Sequence, residues 1–239
     1  MYPGSMPRFE KIPSLPSSWP FELRGAGSAF ETRMLADLPG MQGAWNLVVS
    51  EGLTLSEEPE AMEGRHGRGG VYRLGEVVVR PYRRGGWIRH FDETLYLNPS
   101  RFFMECMTHR ALWAAGFPTV EPLGYGYRRR LWGVEGVYLT RFEASEPWPS
   151  RWDDAGVLQR LRPLLEALDA WGLWAPDLNA TNVLVAPDGG LRLLDWDRAA
   201  WTQGPLMPKY ARRLACSLKR LGAPGSLRDG LQAALGLKA

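Results

Sequence analysis

The segment from residue 172 to residue 198 constrains the fold more than any other part of the sequence. Two short apolar runs, VLVA (183–186) and LRLL (191–194), are separated by a Pro-Asp-Gly-Gly turn, a pattern that predicts a β-hairpin. Asn182 stands just before the first run and Asp195 just after the second. Because a hairpin brings its two ends together, we expect these two side chains to be neighbours.

Three polar residues of this segment suggest phosphoryl-transfer chemistry. A carboxylate from Asp195 and an amide oxygen from Asn182 suit a Mg²⁺ ion that carries phosphate oxygens. Asp177, just upstream of Asn182, would then orient an attacking hydroxyl group and accept its proton. The alternative is that each residue only caps a loop, as such residues usually do when they occur singly. Their joint arrangement favours the chemical interpretation.

The composition is that of a globular chain. The 29 basic and 26 acidic residues leave a net charge of +3, and 45% of the residues are hydrophobic, whereas a disordered polyelectrolyte would have fewer apolar residues. No apolar run of about 18 residues predicts a transmembrane helix. The two cysteines lie far apart and no secretory signal is recognisable, so we expect a cytoplasmic protein. Interspersed charges of both signs favour no nucleic-acid partner.

Lysine is almost absent from the middle of the chain. Of the 29 basic residues only four are lysine, and none of them lies between residues 12 and 208. A fixed cation in this central region must therefore be an arginine, whose guanidinium group binds carboxylate or phosphate through two parallel hydrogen bonds.

The pattern of apolar residues divides the chain into three parts. Residues 1–22 contain five prolines and predict an extended arm. Residues 23–145 form a predicted N-lobe, with short strands rich in β-branched residues and one helix that begins near Ser100 and ends at Gly116. A proline-containing linker, EASEPWPS, then leads to a mainly helical C-lobe over residues 146–239.

Several segments, in this order, resemble the 3-deoxy-D-manno-octulosonic acid (Kdo) kinases of bacterial lipopolysaccharide assembly, and the Asp-x-x-x-x-Asn loop and hairpin resemble the metal-binding loops of protein-kinase-like phosphotransferases. The Kdo kinase resemblance rests on GRGG (67–70), VVRPYRRGG (78–86), SRFFMEC (100–106), AAGFPTVEPL (114–123), DLNATNVLV (177–185), LLDWDRA (193–199) and ARRLACSLKR (211–220). It implies a two-lobed, protein-kinase-like α+β fold with ATP and Mg²⁺ in the cleft.

The resemblance also implies a role for individual residues. Asp177 would act on the acceptor hydroxyl, Asn182 and Asp195 would bind Mg²⁺, and Arg80 would bind the α- and β-phosphates in place of the lysine of protein kinases. Glu105 would pair with Arg80 and hold it in place. The glycine-rich turn would lie over the ATP phosphates; its residues are Gly67, Arg68, Gly69 and Gly70.

The implied acceptor is an anionic sugar, Kdo on a lipid A precursor, at the cytoplasmic face of the inner membrane. The candidate acceptor-binding residues are Arg83, Arg84, Asn179 and Asp197. Two positions depart from the family pattern. Ala175 occupies the place of a histidine usual in relatives, and the tripeptide after the hairpin is Asp-Trp-Asp instead of Asp-Phe-Gly.

We therefore expect an ATP-dependent sugar kinase. Two other functions remain open at this point. A kinase of another small molecule, such as an aminoglycoside, would share the three central residues, and a pseudokinase would keep the fold without transferring phosphate. A basic lipid-binding or nucleic-acid-binding protein is a more distant alternative, supported only by the sequence pI of about 9.0.

Overall fold

A computed structural model describes residues 24–25, 45–49, 60–62, 70–83, 94–154 and 156–235. The described residues divide into two compact units. The sheet unit comprises the residues up to Met107 together with Glu121–Phe142, and the helical unit comprises Thr108–Val120 and the residues from Glu143 onward. The predicted arm over residues 1–22 lies outside the described residues.

The sheet unit contains, within its described residues, a seven-stranded sheet in which all neighbouring strands are antiparallel. Its strand order is β1-β2-β6-β7-β5-β4-β3. The strands are β1 (Arg24–Gly25), β2 (Asn46–Val49), β3 (Glu60–Ala61), β4 (Tyr72–Leu74), β5 (Val77–Pro81), β6 (Pro122–Arg130) and β7 (Gly133–Arg141).

Alternation along the central strands gives the sheet two apolar faces. On β7, Val137 and Leu139 belong to an aliphatic cluster, whereas Val134 and Tyr138 belong to an aromatic one. Gly136 leaves room for the aromatic cluster, because a Cβ atom there would lie 2.3 Å from the ring of Phe102. Phe102 comes from a helix and packs against this face of the sheet.

That helix, α1 (Ser100–Ala114), confirms the helix predicted after the strands. Its beginning differs in detail from the prediction. The side chain of Asn98 accepts a hydrogen bond from the backbone N–H of Ser100 at 3.0 Å, and Pro99 stands between them. The Asn98 side chain therefore satisfies the N–H of Ser100, and Pro99 is the N-cap residue, because its backbone oxygen accepts the N–H of Phe103 at 3.2 Å.

Within its described residues, the helical unit contains the end of α1 from Thr108 onward and three further helices: α2 (Val157–Ala170), α3 (Met207–Arg220) and α4 (Gly225–Ala234). The predicted apolar stripe of α2 is buried. Among the described residues, no helix of either unit combines the length and the apolarity needed to span a bilayer.

Short strands complete the helical unit. Strands β10 (Val183–Val185) and β11 (Leu191–Leu193) form the predicted hairpin, with Val183 opposite Leu193. The two units divide between Phe142 and Glu143, at the start of the segment predicted as a linker. Residues 143–150 are nevertheless more than an extended connection. These residues form β8 (Glu146–Pro147), which pairs with β10, and a 3₁₀ turn that buries Trp148 completely. Burial of a large aromatic side chain fixes this segment in the core.

A second pair of antiparallel strands is formed by β9 (Leu173–Trp174) and β12 (Ala200–Trp201). These two strands flank the hairpin in sequence. The units together confirm the predicted α+β fold class, with one antiparallel sheet packed on a helix and one mainly helical unit.

Candidate functional site

The Asp177 cluster, made of Asp177, Asn182, Asp195, Arg198 and Arg213, gathers at the loops around the hairpin. The amide nitrogen of Asn182 donates to the backbone oxygen of Asp177 at 2.8 Å and to the Asp195 carboxylate at 3.2 Å. The hairpin brings its ends together because Leu194 also donates to the backbone oxygen of Asn182 at 2.8 Å. The predicted proximity of Asn182 and Asp195 is thus present.

Asp195 occupies an unusual backbone conformation at the end of the hairpin. Its φ angle is 67°, in the left-handed region that residues with a Cβ atom seldom adopt, and Arg198 has a φ angle of 58°. Two such residues in one short turn indicate backbone strain, which persists only where surrounding contacts enforce it. The turn after β11 is therefore held in place by its neighbours.

Buried hydrogen bonds around Thr119 supply part of that support. The Thr119 hydroxyl donates to the backbone oxygen of Leu193 at 2.7 Å and accepts the indole N–H of Trp196 at 3.1 Å. The Nε2 atom of His109 lies 2.7 Å from the same hydroxyl. Since the single Thr119 proton is already donated, His109 is the donor in this contact. Trp196 is thereby anchored between Asp195 and Asp197.

Asp177 contacts two guanidinium groups. Arg198 binds both of its carboxylate oxygens, with Nη2 at 2.6 Å from Oδ1 and 2.8 Å from Oδ2 and with Nε at 3.0 Å from Oδ2. Nη2 of Arg213 lies 3.7 Å from Oδ1. The Asp177 side chain is 19% exposed and that of Arg198 is 58% exposed. Neither arginine contact was predicted from the sequence.

Helix α3 positions the Asp177 loop through one polar face. The Tyr210 hydroxyl accepts the N–H of Ala175 at 3.2 Å and donates to the backbone oxygen of Leu173, and burial raises its pKa, so the hydroxyl keeps its proton. Ser217 accepts the N–H of Ala180 at 3.1 Å. Together with Arg213, these side chains are spaced three and four residues apart, so they share one side of the helix. That spacing is a signal in the sequence, although it does not reveal the partner.

Two predicted acceptor-binding residues of this unit are largely internal. Asn179 donates to the backbone oxygen of Asp177 at 2.8 Å and accepts the N–H of Thr181 at 2.9 Å, so it caps the 3₁₀ turn Ala180–Asn182. Asp197, which follows Trp196 in the sequence, is buried. The contacts of Asn179 are those of a loop-capping residue.

The Arg80 cluster, made of Arg80, Tyr82 and Glu105, lies in the sheet unit. Nη2 of Arg80, on β5, donates to Oε1 of Glu105, on α1, at 2.5 Å. The Tyr82 hydroxyl donates to the other Glu105 oxygen at 2.5 Å. The Glu105 side chain is 1% exposed, whereas that of Arg80 is partly exposed. The ion pair expected from the resemblance is therefore present, with a tyrosine as a third partner.

Aromatic side chains enclose the Arg80 cluster. The Tyr82 ring packs on Phe102 with ring centroids 4.4 Å apart, and the Arg80 guanidinium carbon lies 5.4 Å from the Tyr82 ring and 5.6 Å from the Tyr138 ring. Burial, followed by the Glu105 charge, raises the pKa of Tyr82 well above its usual value. Tyr82 is therefore a neutral hydrogen-bond donor, and Glu105 is satisfied on both oxygens despite its burial.

The remaining predicted residues are only partly described. Gly67, Arg68, Gly69 and Arg84 lie outside the described residues. Gly70 has a φ angle of 74°, which suits glycine, and Arg83 is exposed.

The donor set of the Asp177 cluster fits a Mg²⁺ ion that also binds phosphates. Such ions are usually held by one or two carboxylates, with phosphate oxygens and water completing the shell, and Asp195 and Asn182 offer one carboxylate and one amide oxygen. Among the described residues, no group of three or more His, Cys, Asp or Glu side chains forms a self-contained metal site.

Comparison with known proteins identifies the family. The chain is 30% identical over 187 residues to a 3-deoxy-D-manno-octulosonic acid kinase of Stenotrophomonas maltophilia, covering 70% of this chain and 72% of the relative. The chain belongs to the Kdo kinase family. This confirms the resemblance seen in the sequence motifs.

Other Kdo kinases are matched over shorter stretches. The chain is 30% identical over 155 residues to the enzyme of Xylella fastidiosa, covering 56% of this chain, and 32% identical over 169 residues to that of Xanthomonas oryzae, covering 65% of this chain. It spans 59% and 65% of the lengths of these two Kdo kinases. No family model matches the chain. Among solved structures, the crystal structure of monomeric WbdD is similar with a TM-score of 0.46 and 18% identity, over 73% of this chain and 44% of that one.

Proposed function

We propose that this protein is an ATP-dependent phosphotransferase that moves the γ-phosphoryl group of ATP to a hydroxyl group of Kdo on a lipid A precursor. The observation that carries the proposal is the hydrogen-bonded arrangement of Asp177, Asn182 and Asp195 in a chain of the Kdo kinase family. The name of the relatives is the reason for proposing Kdo as the acceptor. The contacts of the three residues suit the transfer of a phosphoryl group.

Asp177, Asn182 and Asp195 each have a role in the proposed reaction. The acceptor oxygen forms a bond to the γ-phosphorus while the bond from this phosphorus to the β–γ bridging oxygen breaks, and ADP leaves with that electron pair. Asp177 orients the hydroxyl group and receives its proton. Mg²⁺, held by Asn182 and Asp195, would neutralise charge on the phosphates.

In this proposal, the Arg80 cluster binds ATP. Glu105 holds one side of the Arg80 guanidinium group, and the partial exposure of Arg80 leaves the side chain accessible to phosphate oxygens. Arginine can replace lysine here because its planar group binds phosphate through two hydrogen bonds. Gly70, with the preceding glycine-rich turn, would supply backbone N–H groups to the same phosphates.

The β6–β7 turn supports a membrane-facing location. Leu131 and Trp132 at its tip are 88% and 79% exposed, Leu97 is exposed nearby, and Arg129 and Arg130 precede them. Leu97 belongs to the same end of the sheet because Tyr96 exchanges backbone hydrogen bonds with Val134. Tryptophan beside arginine is typical of contact with an anionic bilayer surface. We propose a peripheral location at the cytoplasmic face of the inner membrane, where a lipid-linked acceptor is available.

The decisive experiment measures transfer from labelled ATP to a Kdo-bearing lipid A precursor in the presence of Mg²⁺. Asp177→Asn should abolish the transfer, whereas Asp188→Asn, a matched change at the exposed hairpin turn, should leave it intact. Absence of transfer by a native chain that binds ATP and Mg²⁺ would refute the Kdo assignment. Absence of ATP binding would refute phosphotransfer altogether.

The membrane location has a separate test. Flotation with vesicles containing anionic lipids should recover the native chain, and Leu131→Ser combined with Trp132→Ser should reduce the recovery several-fold. Trp113→Ser, at another exposed tryptophan, is the control and should change nothing. Equal recovery of the native chain and the tip variant would rule out contact through this turn.

A further inference from the structure

The Asp177 carboxylate is already held by a cation at the atoms that the proposed reaction needs. Both oxygens accept hydrogen bonds from Arg198, and the acceptor hydroxyl group would have to donate to one of the same two oxygens. Arg198 therefore competes with the acceptor hydroxyl group for the Asp177 oxygens.

The Asp177–Arg198 contact is suited to exchange. The Arg198 side chain is 58% exposed and comes from a turn, so water or another anion has access to the guanidinium group. Exposed ion pairs contribute little to stability, which means that little opposes the loss of this one. Asp177 occupies the Nε and Nη2 edge of the Arg198 guanidinium group, so an incoming carboxylate that binds the same edge would compete with Asp177.

A second guanidinium group also lies beside Asp177. Arg198 and Arg213 both lie within 4 Å of the Asp177 carboxylate, with Nη2 atoms at 2.6 and 3.7 Å from Oδ1. Arg213 is itself partly exposed. When an incoming carboxylate draws Arg198 away, Arg213 remains to hold Asp177.

Strain in the backbone places Arg198 where this exchange is useful. Its left-handed conformation follows the anchored Trp196 by two residues, and the arginine thereby reaches back to Asp177 across 21 residues of sequence. Strained residues of this kind cluster at functional sites. An arginine that served only as a surface cation would gain nothing from such a conformation.

We propose that Arg198 and Arg213 form a subsite for the carboxylate of the sugar acceptor. Arg198 exchanges the Asp177 carboxylate for that of the acceptor, and the freed Asp177 oxygens accept the hydrogen bond of the acceptor hydroxyl. Binding of the sugar carboxylate and release of Asp177 from Arg198 are thus one event. This coupling selects acidic sugars over neutral ones. This inference rests on the proposed function and adds two residues that determine its specificity.

Binding of two small ligands tests the subsite without any turnover. The ligands are the α-methyl glycoside of Kdo and its methyl ester, which lacks the carboxylate charge and carries one additional methyl group, and binding is measured by calorimetry. The native chain should bind the acid at least tenfold more tightly than the ester. Equal affinity for the acid and the ester would overturn the proposal, and this result needs no variant to fold.

Variants then assign the preference to residues. Arg198→Gln should weaken binding of the acid about tenfold and leave the ester unchanged, and Arg213→Gln should do the same to a smaller extent. Arg198→Lys should restore part of the preference, because it keeps the charge without the two-point geometry. Arg162→Gln removes an exposed arginine paired with Glu166 on α2 and is the matched control. If Arg198→Gln weakened binding of the acid and of the ester equally, Arg198 would only support Asp177 and would not bind the sugar carboxylate.

The transfer assay separates this proposal from the proposed function. With the native chain active, Arg198→Gln should raise KM for the acidic acceptor while KM for ATP stays unchanged. An active chain that does not distinguish acid from ester refutes the subsite alone. A chain that transfers nothing, yet distinguishes the two ligands through Arg198, refutes the proposed function alone.

Discussion

Two arginine–carboxylate pairs of this protein, Arg80 with Glu105 and Arg198 with Asp177, use the same chemical groups in contrasting surroundings. Glu105 is buried between β5 and α1, and each of its oxygens is bound by a different partner, Arg80 or Tyr82. Asp177 lies on a loop, and both of its oxygens are bound by the exposed Arg198. Burial of the carboxylate, more than hydrogen-bond length or the number of partners, distinguishes these two ion pairs.

The two pairs differ in the surroundings that each carboxylate would have if its arginine were removed. Glu105 would remain among the rings of Tyr82 and Phe102, where an unpaired charge is costly. Asp177 would be hydrated and would keep Arg213 nearby. In the proposed reaction, the Glu105 pair would hold a phosphate-binding cation in place, and the Asp177 pair would lie beside an oxygen that changes its partner.

Of the changes that break either pair, a change at Asp177 should have the largest effect, and this effect should be on the rate of phosphoryl transfer. Asp177→Asn should lower kcat for transfer by about 10²- to 10⁴-fold, the usual contribution of a positioned proton acceptor. Its free energy of unfolding should change by less than about 1 kcal/mol, since exposed pairs contribute little. Transfer rates and urea unfolding of the same preparation measure both quantities. A large loss of stability would mean that the Asp177 pair is as structural as the Glu105 pair.

The corresponding change at Glu105 should act mainly on stability. Glu105→Ala should lower the free energy of unfolding by about 2 to 4 kcal/mol, less than for a fully buried pair because Arg80 is partly exposed. It also leaves the buried Tyr82 hydroxyl without its acceptor. Urea unfolding measures the loss, and Tyr82→Phe, which removes one hydrogen bond, is a milder control of about 1 kcal/mol. A loss below that of Tyr82→Phe would contradict the fixed character of this pair.

Local patterns predicted most of the elements and the center of the candidate site. The hairpin follows from its turn residues, and its closure brings Asn182 to Asp195. Helix α1 follows from apolar spacing and terminal residues. In both cases residues close in sequence limited the possibilities. The pairing of Arg80 with Glu105 was instead implied by the family resemblance.

Contacts between distant segments could not be predicted in the same way. Tyr210 and Ser217 look like ordinary polar positions on a helix, yet they support the Asp177 loop from α3. The EASEPWPS segment has the composition of a linker, but pairing with β10 and burial of Trp148 make it part of the core. Tertiary packing determines these partners, and one sequence contains no direct record of it.

A double-mutant cycle sharpens the comparison of the two pairs. The coupling energy between Arg198 and Asp177, from Arg198→Gln and Asp177→Asn singly and together, should be about 0.2 to 1 kcal/mol. The cycle with Arg80→Gln and Glu105→Gln should give a larger value, because its carboxylate is shielded from water. Repeating both cycles in about 1 M salt should reduce mainly the first coupling, since screening acts on exposed charges. Equal couplings would remove the proposed distinction.

A third pair, Asp154 with Arg160 at the start of α2, provides the smallest effect and a test by pH. The hydrogen bond from Arg160 is the main cause that lowers the pKa of Asp154, and the backbone N–H of Gly156 contributes at 3.1 Å. A lowered pKa in the folded state adds stability above the ordinary carboxyl pKa and loses it as the pH falls through the folded value. Asp154→Asn, which can still accept from Gly156, should therefore be less stable than the native chain at pH 7, by under about 1 kcal/mol. The two urea midpoints should converge in acid, and a difference that grew on acidification would show that the Asp154 charge does not stabilise the fold.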